Sequence, residues 1–97
     1  MPNYILLGRF TDKGIQTIKE SPSRLDSVKD LFRSLGGQLK AFYLVTGQYD
    51  LVCIVDVPSD EVLAKAVLNI AARGNIKTET IRAFTEDEYR KIIGSLS

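Results

Sequence analysis

The sequence predicts an α+β fold, a four-stranded antiparallel sheet with helices packed on one face and a further helix at the C-terminus. Three observations predict it. Segments of β-branched, aromatic and aliphatic residues alternate with segments whose apolar residues recur every three or four positions. The two middle β segments are separated only by a short turn around Gly47. A chain of 97 residues, 44% hydrophobic and 26% charged, suits one globular domain over residues 1–97 with one core. The order strand, helix, strand, strand, helix, strand is the split βαβ, or ferredoxin-like, arrangement. Its right-handed crossovers place both helices on the same side of the sheet.

Tyr4-Ile5-Leu6-Leu7, running toward Gly8-Arg9-Phe10, reads as a first strand buried on both faces. Thr11 can cap a short helical turn that spaces Ile15 and Ile18, and Ser21-Pro22 then supplies a cap followed by proline at the first helical position. In the longer helix that follows, Leu25, Val28, Leu31, Phe32 and Leu35 recur at spacings of three and four, until Gly36-Gly37 stops it. Gln38 to Thr46 and Leu51 to Val57 read as a hairpin, through either a two-residue type II′ turn at Gly47-Gln48 or a four-residue loop. Both registers put Phe42 and Leu44 on one face with Leu51, Cys53 and Val55. Ala41, Tyr43 and Val45 share the other face with Val52 and Ile54. Ser59 caps the second main helix, with Asp60 and Glu61 in its first turn, a Glu61–Lys65 pair, and a stripe of Val62, Leu63, Ala66, Val67 and Ile70. Gly74 ends it. Ile76 to Phe84 is polar enough for an edge strand. Thr85 and Glu88 then form a capping box for a terminal helix, with Phe84 and Tyr89 at the positions of a hydrophobic staple.

Composition excludes much. Thirteen Lys and Arg against 12 Asp and Glu give a net charge of +1, so no basic excess favours nucleic acid or an anionic membrane. The third strand also lacks the basic and aromatic pattern with which such sheets bind RNA. With no histidine and one cysteine there is no internal disulfide, no histidine-ligated haem and no cysteine zinc cluster, and neither a metal nor another cofactor is expected. No apolar run approaches the length of a membrane span, which is about 20 residues. The expected location is the cytoplasm. Cys53, inside Leu51-Val52-Cys53-Ile54-Val55, reads as a small core residue rather than a reactive thiol.

The hairpin leaves both sheet faces apolar, yet the helices cover only one. Four strands of six residues span roughly 400 Å² per face before side-chain relief. With the terminal helix added, that approaches the roughly 800 Å² per partner of a standard interface. The economical solution is two sheets facing across a two-fold axis, a dimeric α/β barrel in which the chain's first partner is itself.

The segments Met1-Pro2-Asn3-Tyr4, Phe10-Thr11-Asp12-Lys13-Gly14, Ser21-Pro22-Ser23-Arg24-Leu25, Leu35-Gly36-Gly37, Gly47-Gln48-Tyr49-Asp50 and Thr78 to Thr85 resemble the GYD domain family over nearly the whole chain. That resemblance implies a dimeric α+β barrel of ferredoxin-like subunits. It implies no established activity and no catalytic residues to carry over.

Three functions fit the sequence. The first is a homo-oligomeric module that binds a small, partly apolar molecule between facing sheets, with Tyr43, Tyr49, Asp50 and Arg82 as candidate ligand contacts. The second is a regulatory or structural oligomerisation unit. The third is a cofactor-independent oxygenase or isomerase, whose base would be Asp50, Asp56, Glu79 or a tyrosine. Gly47, Tyr49 and Asp50 also have a purely local explanation: glycine supplies a positive φ, aspartate accepts backbone N–H bonds and tyrosine packs over the hairpin or reaches a partner subunit.

Overall fold

The computed structural model describes residues 1–97. Strands β1 (Asn3–Phe10), β2 (Gln38–Leu44), β3 (Leu51–Asp56) and β4 (Ile76–Ala83) form one antiparallel sheet in the order β2-β3-β1-β4. The first and last strands are therefore neighbours, and β2 and β4 are the edges. Helix α1 (Asp12–Gln16), a 3₁₀ turn (Ile18–Glu20) and α2 (Ser21–Ser34) connect β1 to β2, α3 (Asp60–Ala72) connects β3 to β4, and α4 (Glu86–Gly94) follows β4. This is the ferredoxin-like order with its terminal helix.

The local signals act mostly as read. The Thr11 hydroxyl accepts the Gly14 N–H at 3.1 Å and caps α1. Ser21, in contrast, is not a cap: the 3₁₀ turn runs straight into α2, so Ser21 takes helical angles (φ −57°, ψ −42°) and Pro22 lies in the first turn. A residue already in the helix cannot turn its side chain back onto the free N–H groups. At the other end of α2 the Gly37 N–H donates to the Phe32 carbonyl at 2.9 Å and the Gly36 N–H to Arg33 at 3.0 Å. Gly36 sits at φ +81°, which completes a Schellman stop. Ser59 caps α3 through the Val62 N–H at 3.3 Å. The expected Glu61–Lys65 pair does not form; the ion pairs are Arg9–Glu79, Arg33–Asp30 and Arg90–Glu86. Glu61 and Lys65 are both exposed, where water competes well for each charge.

The core lies between α2, α3 and one face of the sheet. Phe32, Val55, Val57 and Ala66 are fully buried, joined by Tyr4, Leu6, Leu63 and Ile70. Leu31, Val28 and Leu35 pack at its margin. The facing sets of the hairpin hold, with Phe42 opposite Cys53, Leu44 opposite Leu51, Ala41 opposite Ile54 and Tyr43 opposite Val52. Lys40 bulges out of β2 between Leu39 and Ala41, a feature that edge strands use to discourage further pairing. The hairpin closes through the four-residue loop, not the two-residue turn: the Val45 N–H donates to the Asp50 carbonyl at 2.8 Å and leaves residues 46–49 outside the ladder.

Thr85 and Glu88 form the capping box of α4. Phe84 and Tyr89 flank it but do not bury each other, at 54% and 58% exposed. The helix stands off the body, makes no extended contact with any other element, and leaves Tyr89, Ile92 and Ile93 exposed. No helix is long and apolar enough to cross a membrane.

Candidate binding site on the open sheet face

Side chains alternate across a sheet, so the partners of Tyr4, Leu6 and Val55 on the helix side leave a second set pointing the other way. In register, Ile81, Ile5, Ile54 and Ala41 make one row across the four strands, and Glu79, Leu7, Val52 and Tyr43 make the next. No helix of the chain covers them, and Tyr43 and Ile81 are 58% and 47% exposed. The result is a continuous apolar surface with Asp56 at one end, in register with Asn3, and Glu79 and Arg9 at the other.

The Glu79 and Arg9 end is built by the hairpin loop. Gly47 lies at φ +115°, and a Cβ there would meet nothing within 4 Å, so the turn rather than close packing requires glycine. Asp50 clamps the loop to β1: its N–H donates to the Gly8 carbonyl at 2.9 Å, and its Oδ2 accepts the Phe10 N–H at 3.0 Å. Tyr49 then reaches across the sheet, donating its hydroxyl to Glu79 Oε2 at 2.8 Å. Arg9 completes the corner. Its Nε donates to the Gln48 carbonyl at 2.8 Å, its Nη1 meets Glu79 Oε1 at 3.4 Å, and its guanidinium lies 4.5 Å from the centre of the Tyr49 ring. The hydrogen bond to the Glu79 carboxylate, with some burial, raises the Tyr49 pKa above the ordinary 10.0. The phenol is therefore a proton donor at neutral pH, not a base.

The four predicted contacts do not converge. Tyr43 and Tyr49 share the open face, and Asp50 holds the loop at its edge. Arg82 lies at the opposite end of β4 in register with Tyr4, on the helix side, where its guanidinium stacks 4.3 Å from the Phe84 ring centre and 5.5 Å from that of Tyr4. Its Nη1 donates to the Asn3 carbonyl at 3.2 Å and to that of Ala83. The Tyr4 hydroxyl donates to Asp60 at the start of α3, and that bond, with burial, raises the Tyr4 pKa. Arg9 is the residue that sequence reasoning missed. Its signal was a single charge ending a strand whose same-face neighbours, Ile5 and Leu7, are apolar.

The candidate bases are likewise dispersed. Glu79 is held by Arg9 and Tyr49, Asp50 by the β1 backbone, and Asp56 sits in register with Asn3 and Gln38 with its Oδ1 buried and unpartnered. Cys53 is half-buried on the helix side, and burial pushes its thiol up to about 11, as suits a core residue. No grouping of three or more Cys, Asp or Glu could hold a metal ion. The arrangement can present a planar cation, a phenol and a carboxylate at the rim of an apolar surface, the usual composition of a small-molecule site.

Comparison with known proteins agrees with this architecture. The chain is 38% identical over 84 residues to a glutamine synthetase and cystathionine beta-lyase binding protein of Thermus thermophilus, covering 86% of this chain and 88% of that one. Among solved structures, a Thermus thermophilus protein superposes with a TM-score of 0.57 at 28% identity, over 88% of this chain and 95% of that one. A feast or famine regulatory protein of M. tuberculosis, complexed with L-methionine, superposes with a TM-score of 0.67 at 18% identity. That last likeness covers 88% of this chain, which spans about half (51%) of the regulatory protein, and it concerns the fold alone. The GYD domain model matches residues 4–93, a span that takes in the four strands but for Asn3, together with the Gly47-Gln48-Tyr49-Asp50 loop whose clamp has just been described, and the chain belongs to the GYD domain family.

Proposed function

We propose that the protein is a homo-oligomeric, regulatory binding module whose open sheet faces pair and enclose a small, partly apolar molecule. The observation that carries this reading is the uncovered face itself: rows of Ile, Leu, Val and Tyr ending in the Arg9–Tyr49–Glu79 corner. A face of roughly 400 Å² lies within the range of the largest apolar patch a monomer keeps, about 300 to 600 Å². The unpartnered α4, with Tyr89, Ile92 and Ile93 exposed, adds the area that pairing needs. Between paired sheets the Arg9 guanidinium and Tyr49 hydroxyl would orient a polar group, and the isoleucine and valine rows would take the apolar remainder.

The regulatory part rests on the Thermus relative, which is named for the enzymes it binds. Its name supports a second layer of recognition, in which the assembled module docks on a metabolic enzyme. A cofactor-independent oxygenase or isomerase has less support: Glu79 and Asp50 are held by hydrogen bonds, and Asp56, whose Oδ1 is unpartnered, lies at the end of the sheet away from the Arg9–Tyr49–Glu79 corner.

Light scattering over a concentration series tests the assembly, and native mass spectrometry of the same sample tests for a retained ligand. A dimer or larger species with added small-molecule mass is the expected result. A monomer throughout the series would overturn the reading.

A further inference from the structure

A cavity lies on the other side of the sheet, within one subunit. It has a volume of about 60 Å³ and opens between α2 and the helix-facing side chains, with Leu25, Val28 and Phe32 along one wall and Phe42, Leu51 and Cys53 along the other. Arg24, one turn into α2, is the only charged residue on its lining. The Arg24 guanidinium is fixed at the end of α1: Nη1 donates to the Thr17 carbonyl and hydroxyl, both at 3.0 Å, and Nη2 to the Gly14 carbonyl at 3.2 Å.

Two features of Arg24 are unexplained by that role. Its Nε–H is buried and has no partner, although buried donors are nearly always paired. Its charge also has no carboxylate, since every bond it makes goes to a neutral oxygen and it belongs to none of the ion pairs. A partly buried, uncompensated guanidinium is costly unless an anion completes it. Arg24 further separates the apolar cavity from a polar surface cleft, whose charged residues are Lys13, Arg24 and the single acid Glu20. Lys13 too donates to a neutral acceptor, the Arg73 carbonyl at 3.0 Å.

We propose that this cavity binds a small monocarboxylate, its carboxylate on Arg24 and its short apolar tail between α2 and the sheet. Size sets the tail. One water needs roughly 10–15 Å³ of such space, so the cavity takes about four to six heavy atoms. The site is independent of the open face, and its failure would leave the proposed assembly untouched.

Calorimetric titration and amide NMR of the full chain with hexanoate, hexanol, hexylammonium and decanoate at neutral pH test it. Hexanoate should bind saturably and shift the amides of Leu25, Val28 and Leu51, with hexanol at least about tenfold weaker and hexylammonium silent. Decanoate should bind more weakly than hexanoate, because its tail outgrows the cavity. Arg24→Met should lower hexanoate to the level of hexanol, and Val28→Trp, which fills the cavity, should remove both. Equal binding of hexanoate and hexanol, shifts confined to the open face around Tyr43 and Tyr49, or no saturable hexanoate binding would each overturn the proposal. The headgroup comparison uses the unaltered protein, so it decides even where a variant fails to fold.

Discussion

The two faces of the sheet carry the same device at opposite ends. On the helix side Tyr4 donates to Asp60 beneath the Arg82 guanidinium, and on the open side Tyr49 donates to Glu79 beneath Arg9. Tyr4 is 4% exposed because α3 and the core close over it, whereas Tyr49 is only half-buried. The helix-side trio fastens α3 to β1, and the open-side trio fastens the hairpin loop to β4. Both faces are apolar between these anchors. The difference teaches that both faces of the sheet are apolar while the chain's own helices cover one, and the proposed pairing would cover the other.

The largest effect tests the cover that exists. Phe32 is fully buried against the helix side, and Phe32→Ala should cost about 3–5 kcal/mol, a large share of a small domain's stability. A shift of the denaturation midpoint measures it. Next comes the missing cover. Tyr43→Asp puts a charge on the open face, where a single subunit tolerates it because Tyr43 is exposed. In a paired face the charge would be buried without a partner, so the variant should stay folded by circular dichroism and lose its assembly by light scattering. Retention of the unaltered mass would break the comparison, since the second face would then need no cover. Leu31→Ala sharpens it from the margin: the spacing of α2 treats Leu31 as equal to Phe32, but it is only half-buried beside the core. Its cost should be about 1–2 kcal/mol, below that of Phe32.

What is legible in the sequence alone follows the same division. Caps, glycine stops, the alternating faces of the hairpin and the periods of α2 and α3 are local patterns, and each of them acts within a few residues of its own position. Thr85 with Glu88 and Gly36 with Gly37 therefore behave as read. Ser21 does not, because its fate depends on whether the preceding turn is already helical. The open-face corner joins Arg9 to Glu79 across 70 positions of sequence and Tyr49 to Glu79 across 30, and no local pattern carries such a pairing. Arg82 shows the limit most clearly. β4 alternates Thr78, Thr80 and Arg82 with Glu79, Ile81 and Ala83, so neither set is apolar enough to declare its face, and only pairing with β1 sends Arg82 to the helix side.

The smallest effect separates the two trios by proton. In each, the carboxylate bond raises the tyrosine pKa above 10.0, so the folded chain holds both phenols protonated. A raised folded pKa means that the stability these bonds contribute is fully present below about pH 10 and is lost as the pH rises through the folded values. Phenolate absorbance should therefore show two tyrosines titrating late, one released by Asp60→Asn and the other by Glu79→Gln. Dilution then distinguishes the faces. Tyr4 is enclosed within its own chain, and its titration should not depend on protein concentration. Tyr49 sits at the rim of the proposed interface, where pairing would remove water from the phenolate, so its titration should move higher as the assembly forms. Concentration independence at both tyrosines would place the Arg9–Tyr49–Glu79 corner outside any interface and leave it as a brace for the loop.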